Sequence, residues 1–349
     1  MNIVIWDIET DSSNTFFGTI IEIGGILLND NFQELDKLNI RCRLPEGVVP
    51  QAGALLVNQS SISMLTQANY SHYQMLQEVE AVFKKWSPAI FLGYSNINFD
   101  DEMLRKEFFK GLRYPYLTNT NGNKRQDGLN IVRAAFAVNN KIFKTELNEK
   151  GNALMKLESL ARMNGINTKG AHNALFDANL TKLILEKIYK EQNVTWKSSM
   201  LTGSREEVER FAKDEIMFTL NEYFYGKSKL YLVAPLHTEH MLHPVYKWVQ
   251  SFDLRFDPEL YFKMPLTELK IEMQKTPKFL RTIRSNKAPV LLHSNYGSKA
   301  EPYNTLSKEK LLKRAKLIKN NKEFCNKVSL ALREIAEEKK DTSDQSDIT

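Results

Sequence analysis

The chain opens on a strand that has the pattern of a buried strand and yet carries two carboxylates. The segment NIVIWDIE places four apolar residues, Ile3 to Trp6, directly before Asp7, and Glu9 follows two positions later. Because side chains alternate along a strand, Asp7 and Glu9 point to the same face. Two like charges side by side repel each other and resist removal from water. We therefore expect a compensating positive charge beside them.

The first half of the chain has the pattern of a mixed α/β domain. Apolar alternation predicts strands at NIVIWDIE, 19–28 and 38–44, joined by short loops as an antiparallel meander. A short apolar strand is predicted at 89–94. Helical spacing is found at 72–86, 100–112, 127–138, 154–166 and 172–190. Strands followed by alternating strands and helices predict an α/β fold with a mixed sheet, which we place at 1–193.

The second half of the chain has a different composition and periodicity. Residues 191–203 are polar without a clear period and are predicted to be a linker. Residues 204–300 are rich in aromatic and branched residues broken by prolines, which favours a small β barrel or sandwich. Residues 305–341 form a helical, basic C-terminal segment, in which 308–322 hold seven Lys or Arg against one Glu. Residues 342–349 are predicted to be disordered.

Composition narrows the class of protein. The net charge of +6 and the pI of about 9.0 favour a polyanionic partner. The two cysteines, Cys42 and Cys325, are too few for a disulfide framework and too far apart for a zinc site. We find no run of about 18 apolar residues that would span a membrane. A cytoplasmic monomer is expected.

Three further residues carry chemistry. Asp100 follows the strand at 89–94 and is placed to cap a helix, while His172 and Asp177 stand at the start of the helix over 172–190. The predicted fold can bring both aspartates into one cleft with Asp7 and Glu9. Carboxylate oxygens suit hard divalent cations, and a pair of such ions is the usual clamp for phosphodiester hydrolysis. The four acids would hold Mg²⁺ (two ions, with Mn²⁺ as an alternative), and His172 would be the general base.

The order of these motifs resembles the DEDD family of 3′→5′ exonucleases, in its histidine subclass (DEDDh). The DxE-Thr motif matches Asp7, Glu9 and Thr10, the second motif matches 96–100, and the third matches His172 and Asp177. The segments TIIEIGG, LPEGVVPQAGALLVNQ and KAPVLL extend the resemblance to one branch of that family over roughly the whole chain. It implies a ribonuclease H-like domain, then an SH3-like domain over 204–300 that binds single-stranded DNA.

The same resemblance implies residues that contact DNA. With Glu9 and Thr10, Lys156 would hold the terminal nucleotide, and three more positions match family contacts to the strand: Arg105, Tyr116 and Arg133. Phe16 and Phe17 follow the acidic pair and could wedge between the last two bases. Ordinary structural roles compete, since the arginines could be solvated helix residues and the aromatic residues could be core. Glu22 and Asp127 are interpreted as structural.

These observations predict a magnesium-dependent exonuclease that degrades single-stranded DNA from the 3′ end to 5′-mononucleotides, in DNA repair and recombination. The resemblance also implies binding to the C-terminal tail of single-strand-binding protein, with the basic helix over 308–322 as one candidate site. Two alternatives stay open. One is an RNA or proofreading exonuclease. The other is a catalytically idle single-stranded-DNA-binding protein, which the retained set of acids argues against.

Overall fold

The computed structural model describes residues 1–346, with the backbone alone over 340–346, and divides into two compact units. The first unit comprises Met1–Ser204 with Tyr225–Lys227, and the second comprises Arg205–Phe224 with the chain from Ser228 onward. The helical segment predicted over 305–341 therefore belongs to the same compact unit as the strands that precede it.

A five-stranded mixed sheet forms the centre of the first unit. Its strands are β1 (Asn2–Thr10), β2 (Ile20–Leu28), β3 (Glu34–Arg41), β4 (Ala89–Gly93) and β5 (Lys124–Asp127), in the order β3-β2-β1-β4-β5. β1 pairs antiparallel with β2 and parallel with β4, and β2 pairs antiparallel with β3. The predicted meander and mixed α/β sheet are thus confirmed.

Eight helices surround this sheet. They are α1 (Ala52–Val57), α2 (Ile62–Gln67), α3 (His72–Trp86), α4 (Asp100–Lys110), α5 (Gly128–Val138), α6 (Leu157–Met163), α7 (Ala174–Glu191) and α8 (Asn193–Met200). The helices predicted by apolar spacing are present as α3 to α7. Sequence reasoning missed the first two, whose six-residue lengths are too short to show a period.

Alternation along β1 separates its two faces. Val4, Trp6 and Ile8 belong to a core cluster that also contains Phe83 of α3. Asp7 and Glu9 point to the opposite face of the sheet. On that face α7 packs against β1 and β2 and brings Asp177 to the two acids. The apolar face thus anchors the strand while the acidic face meets a helix.

The predicted linker at 191–203 is wrong over most of its length, because α8 occupies Asn193–Met200. Trp196 is buried in that helix, and its ring lies 4.9 Å from the ring of Phe32 and 6.4 Å from that of Tyr189. Short helices draw most of their stability from such tertiary packing and little from their own sequence pattern.

The second unit is built on one antiparallel sheet and its helices. Its elements are α9 (Arg205–Asp214), β6 (Phe218–Phe224), β7 (Lys227–Pro235), β8 (Val249–Asp253), α10 (Glu259–Phe262), α11 (Leu266–Gln274), β9 (Leu280–Ile283), β10 (Leu291–His293), α12 (Ser294–Gly297), α13 (Lys308–Asn320) and α14 (Lys322–Ser346). The strand order is β10-β6-β7-β8-β9.

Both faces of this second sheet are buried. Leu232 and Phe252 pack with residues of α13 and α14, among them Ile318 and Val328, whereas Val233 on the other face packs with α9. The expected β-rich domain followed by a helical segment is thus present, and in the described residues helices rather than a second sheet cover its faces. α14 runs to Ser346, so the tail predicted to be disordered over 342–349 is helical as far as the described residues extend; 347–349 lie outside them.

The two cysteines are both free and buried. They are too few to form a disulfide framework, as the sequence indicates. Burial raises the pKa of Cys42 to about 12 and that of Cys325 to about 11. The thiolate is the reactive form of cysteine, so both thiols are chemically inert packing residues at neutral pH.

We predict that Gly24→Ala destabilises the first unit strongly. A Cβ at Gly24 would lie 2.2 Å from the backbone nitrogen of Leu175 at the start of α7, and backbone atoms cannot move aside cheaply. We expect a loss of about 3 kcal/mol in the free energy of unfolding, measured from urea unfolding. Gly53→Ala is the matched control, since a Cβ there meets nothing within 4 Å. Equal stability of the two variants would contradict the close approach of α7 to β2.

Candidate active site

Three of the predicted acids converge at the end of β1. Asp7 and Glu9 of β1 and Asp177 of α7 each offer a carboxylate oxygen, and these oxygens all lie within 4.8 Å of one another. β1 presents its two acids from a rigid central strand, and the first turn of α7 presents the third. The arrangement gathers three negative charges around one point.

Burial makes this cluster electrostatically costly. Burial raises the pKa of Asp7 well above its ordinary value, and the charges of Asp100, Asp177 and Glu9 raise it further. The pKa of Glu9 is raised to about 8, chiefly by burial and next by Asp177. Without a compensating cation Glu9 prefers to keep its proton at neutral pH, and the ionised form of Asp7 is disfavoured.

Asp100 lies beside this cluster and outside the group of three. It occupies the first turn of α4 and is buried, and its pKa is raised to about 8, chiefly by burial. The prediction that Asp100 caps the helix is wrong, because Phe99 is the N-terminal cap residue and no side chain caps there. The Asp100 carboxylate instead accepts a hydrogen bond from the backbone of Ile8, which lies between Asp7 and Glu9.

His172 and Asp177 are linked at the start of α7. The backbone N–H of His172 donates to Asp177 Oδ2 at 3.2 Å, and His172 has a left-handed backbone with φ of 70°. That conformation is uncommon for a residue with a side chain and often marks a functional site. The imidazole is 39% exposed, so it is open to solvent and to a bound molecule. Asp177 Oδ1 is buried and has no hydrogen-bond partner among the described residues.

Neighbouring buried acids outside the cluster have protein partners. Asp101 lies 3.4 Å from Arg125 Nη1 and accepts from Asn96 and Thr118. Asp127 caps α5 by accepting from the backbone of Leu129 and also accepts from Ser95. These bonds support the structural interpretation of Asp127. A buried acid with many partners is structural, and one without partners is available to a ligand.

Two further acids, which the sequence analysis did not assign to the site, lie close to it. Glu158 of α6 lies 3.9 Å from His172 Nε2, and its charge raises the pKa of Asp177. Glu22 of β2 pairs in register with Glu9, and its charge raises the pKa of Glu9. The antiparallel pairing of β1 and β2 was the available signal for Glu22. Glu158 had no comparable signal, because its proximity depends on how α6 packs.

The predicted DNA-contact residues are mostly accessible. Arg105 lies over the ring of Tyr116, 5.0 Å from its centroid, and pairs with Glu102 at 3.0 Å. Tyr116 is 45% exposed, so it is not a core residue. Phe16 and Phe17 are 79% and 83% exposed. Their exposure excludes the alternative of buried core.

The remaining contact candidates differ in exposure. Lys156 is exposed at the start of α6, whereas Thr10 is buried and its hydroxyl donates to the backbone of Ser12 at 2.8 Å. Arg133 of α5 is partly buried near Tyr94, whose hydroxyl donates to the Met155 carbonyl at 2.6 Å. Arg133 is therefore near the backbone that precedes Lys156.

The donor set fits a hard divalent cation. The cluster offers carboxylate oxygens, which Mg²⁺ and Mn²⁺ prefer, and the described cluster contains no sulfur or nitrogen ligand. The partnerless Asp177 Oδ1 and the raised pKa values of Asp7 and Glu9 are what a cation would relieve. We expect Asp7, Glu9 and Asp177 to hold such an ion, with Asp100 beside them.

Comparison with known proteins places this site in a family. The exonuclease family model (RNase_T) matches residues 4–185, just over half of the chain. The chain belongs to the exonuclease family. The matched range contains every acid of the cluster together with Asp100 and His172. The resemblance seen in the sequence motifs is therefore confirmed at the level of the family.

Curated relatives are named exodeoxyribonuclease I. The protein from Buchnera aphidicola of Schizaphis graminum is 27% identical over 194 residues, which is 55% of this chain and 40% of the relative. The protein from Escherichia coli K12 is 25% identical over 186 residues, which is 53% of this chain and 39% of the relative. The chain spans between 39% and 62% of the length of the curated relatives it matches.

Solved structures show the same fold over more of the chain. Escherichia coli exonuclease I in complex with a dA16 oligonucleotide has a TM-score of 0.75 at 19% identity and covers 95% of this chain and 74% of its own. An ExoI/SSB-Ct complex has a TM-score of 0.74 at the same identity and covers 95% and 74%. Coverage at this level extends the fold likeness beyond the exonuclease domain into the second unit.

We predict that divalent cations stabilise this protein more at pH 9 than at pH 6. The pKa values of Glu9 and Asp100 are raised from their ordinary values of 4.5 and 3.8 to about 8, so the metal-free fold loses stability progressively as the pH rises from those values to about 8 and changes little above it. Each titrating carboxyl contributes at most about 1.4 kcal/mol per pH unit. Cations bind the ionised form and should reverse that loss.

The measurement is the melting temperature with Mg²⁺ and with EDTA at pH 6, 7, 8 and 9. Asp7→Asn should reduce the difference between the two conditions, because one ligand oxygen and one negative charge are lost. Asp30→Asn, in the exposed turn between β2 and β3, is the matched control. A Mg²⁺ effect that is equal at all four pH values would contradict the assignment of the cluster as the cation site.

Proposed function

We propose that this chain is a metal-dependent exonuclease that removes nucleotides from the 3′ end of single-stranded DNA and releases 5′-mononucleotides. The observation that carries the proposal is the convergence of Asp7, Glu9 and Asp177 within 4.8 Å, inside an exonuclease-family domain. His172 is bonded to the third acid of that cluster. The printed names of the curated relatives support DNA as the substrate.

The acids define where the scissile phosphate binds. Asp7, Glu9, Asp177 and Asp100 would hold two divalent cations, Mg²⁺ or Mn²⁺, which when bound supply positive charge for activating water and stabilising the leaving oxygen. The carboxylates come from the central strand and from two helices, so the protein places them before substrate arrives. Such preorganisation avoids a reorganisation cost during the reaction.

His172 is suited to the role of general base. Its imidazole is partly exposed, and its backbone is held to Asp177, so the ring stands at the edge of the acidic cluster. A neutral imidazole can accept the proton of an attacking water near neutral pH. Glu158, 3.9 Å from Nε2, can stabilise the imidazolium that results.

Exposed aromatic and cationic residues of the first unit would hold the strand. Phe16 and Phe17 present their rings to solvent just after β1 and can stack on the last bases. Lys156 would bind the terminal nucleotide together with Glu9 and Thr10. Arg105, Tyr116 and Arg133 would contact the DNA backbone at nucleotides further from the 3′ end. We also propose that the second unit binds single-stranded DNA.

The cellular setting follows from the same proposal. An enzyme of this class would act in DNA repair and recombination. A cytoplasmic location is consistent with two buried free thiols, and no helix in the described part of the chain is long and apolar enough to cross a membrane. We expect a monomer.

We predict that purified protein with Mg²⁺ releases labelled mononucleotide at once from a 3′-labelled single strand and only late from a 5′-labelled strand. Asp7→Asn and Asp177→Asn should abolish the activity, because each loses a cation ligand. His172→Ala should lower kcat by about 10²–10⁴-fold while Mn²⁺ binding persists, because it removes a general base and leaves the acids in place. Product chromatography and calorimetry measure the two effects.

The controls distinguish the proposed DNA exonuclease from an RNA exonuclease and from a DNA-binding protein without activity. His293→Ala in the second unit is the matched histidine control and should leave kcat unchanged. A ribonucleotide strand run in parallel tests the RNA alternative, and retention of DNA in EDTA without any cleavage in Mg²⁺ would favour a binding protein. Internal cleavage, or full activity of Asp177→Asn, would refute the proposed exonuclease.

A groove in the second unit is a candidate binding site for a peptide. About 790 Å³ in volume, it is lined by apolar Phe262, Leu312 and Leu317, by three lysines, Lys313, Lys316 and Lys322, and by two glutamates, Glu309 and Glu323. Lys322 is paired with Glu239 at 2.6 Å, which leaves Lys313 and Lys316 as the cations that favour an anionic ligand. An apolar floor with cations fits a peptide terminus, which carries a carboxylate. Since one structural relative is an ExoI/SSB-Ct complex, we propose that this groove binds the C-terminal tail of single-strand-binding protein.

We predict that a peptide of that tail binds the full chain and that Lys316→Glu weakens binding by about tenfold or more, because a charged hydrogen bond becomes a repulsion. Fluorescence anisotropy of the labelled peptide measures the affinity. Lys299→Glu, which lines a different cleft of the same unit, is the control. Equal affinity of both variants, or unchanged binding after amidation of the peptide carboxylate, would exclude the groove.

A further inference from the structure

Glu22 is a buried acid directly opposite Glu9 in the pairing of β1 with β2, and it is 2% exposed. Two carboxylates at opposed positions in a sheet destabilise it unless other groups compensate. The neighbour that compensates Glu22 on its own sheet is Arg41 of β3, which pairs with its Oε2 and also donates to Ser60 Oγ at 2.9 Å. This pair accounts for one carboxylate oxygen.

The other oxygen reaches the start of α7. Glu22 Oε1 accepts from Asn173 Nδ2 at 2.7 Å, and the Glu22 carboxylate also accepts from the backbone N–H of Ala174. Asn173 is the cap residue of α7, and its Oδ1 accepts from the backbone of Phe176 at 3.1 Å. One amide side chain therefore joins the sheet to the first turn of the helix through both of its polar atoms.

Gly24 provides a second restraint on the same turn. It lies two residues along β2, pairs in register with Asp7, and has no side chain to separate the strand from Leu175. A Cβ there would lie 2.2 Å from the Leu175 nitrogen. The first turn of α7 is consequently held against β2 by van der Waals contact at Gly24 and by hydrogen bonds at Glu22.

Asp177 depends on this turn for its position. Its Oδ2 accepts from the backbone of His172, which directly precedes the cap residue Asn173, and its Oδ1 has no partner among the described residues. None of these bonds ties Asp177 to the sheet. The distance from Asp177 to Asp7 and Glu9 is thus set by where the helix begins.

We propose that Glu22 is a positioning residue that acts through Asn173 and Ala174 to hold Asp177 and His172 at the acidic cluster. The inference rests on the proposed function, because it assigns Glu22 a role in that same cation site. Both Glu22 oxygens already have protein partners, which argues against a direct ligand role. Partners of metal ligands typically change metal affinity by about 10–100-fold when they are removed.

The test uses Mn²⁺ as the probe and calorimetry on the full chain as the readout. Glu22→Ala removes the acceptor, and Asn173→Ser keeps a good helix cap but loses the amide donor. Each should weaken Mn²⁺ binding by about tenfold or more, and the double variant should be no worse than either single variant. Glu22→Gln keeps an acceptor for Asn173 and should stay within about threefold of the wild type.

Two further measurements distinguish positioning from general destabilisation. Amide hydrogen exchange over 173–178 should rise in Glu22→Ala and Asn173→Ser, and kcat should fall while KM for the oligonucleotide is unchanged. Asp36→Ala is the matched control, since Asp36 accepts from Trp86 Nε1 at 3.0 Å and Lys85 Nζ at 2.9 Å in the same unit. It should leave Mn²⁺ affinity unchanged.

The outcomes are distinct. If Glu22→Gln binds Mn²⁺ as weakly as Glu22→Ala does, the proposal is overturned in favour of an effect of the lost charge. If Asn173→Ser binds Mn²⁺ normally, the proposed route through Asn173 is overturned. Wild-type protein that binds no Mn²⁺ would refute the cation site itself. Mn²⁺ binding with no exonuclease activity would refute the proposed function while the positioning role could still be measured.

Discussion

Mutual repulsion among partly buried carboxylates is the constraint on which the first unit depends. Asp7, Glu9 and Asp177 lie within 4.8 Å of one another, and Asp100 adds a fourth charge at the edge. Left to themselves, such groups would separate or take up protons. They stay together because β1 is the central strand of its sheet, with Val4, Trp6 and Ile8 anchored in the core on the face away from the acids.

Other acids near the cluster differ from it in their hydrogen-bond and ion-pair partners. Glu22, Asp101 and Asp127 are also buried, but each has partners: Arg41 and Asn173 for the first, Arg125 for the second, and backbone amides for the third. In the cluster, by contrast, the buried Asp177 Oδ1 has no hydrogen-bond partner among the described residues. Acids with protein partners are already compensated, whereas an acid without one is available to a cation.

The second unit follows a different principle. Its five-stranded sheet is buried on both faces because α9 lies on one side and α13 and α14 on the other. The basic character of α13 is compatible with this packing, since its apolar stripe, including Leu311 and Ile318, faces the core while lysines line the groove. One helix thus serves both packing and a candidate binding surface.

Local patterns determined most of the first unit. Strand alternation put Asp7 and Glu9 on one face and apolar spacing located α3 to α7, because these signals depend only on neighbouring residues. The grouping of these two acids with the distant Asp100 and Asp177 came instead from the resemblance of the motifs to a nuclease family. Tertiary structure alone decided the rest. Burial of Trp196 accompanies a helix in place of the expected linker, helices cover the second sheet, and the start of α7 approaches β2 at Gly24 and bonds to Glu22 beside the acids of β1. Contacts between residues far apart in sequence have no local periodicity, so the chain's order of residues does not reveal them.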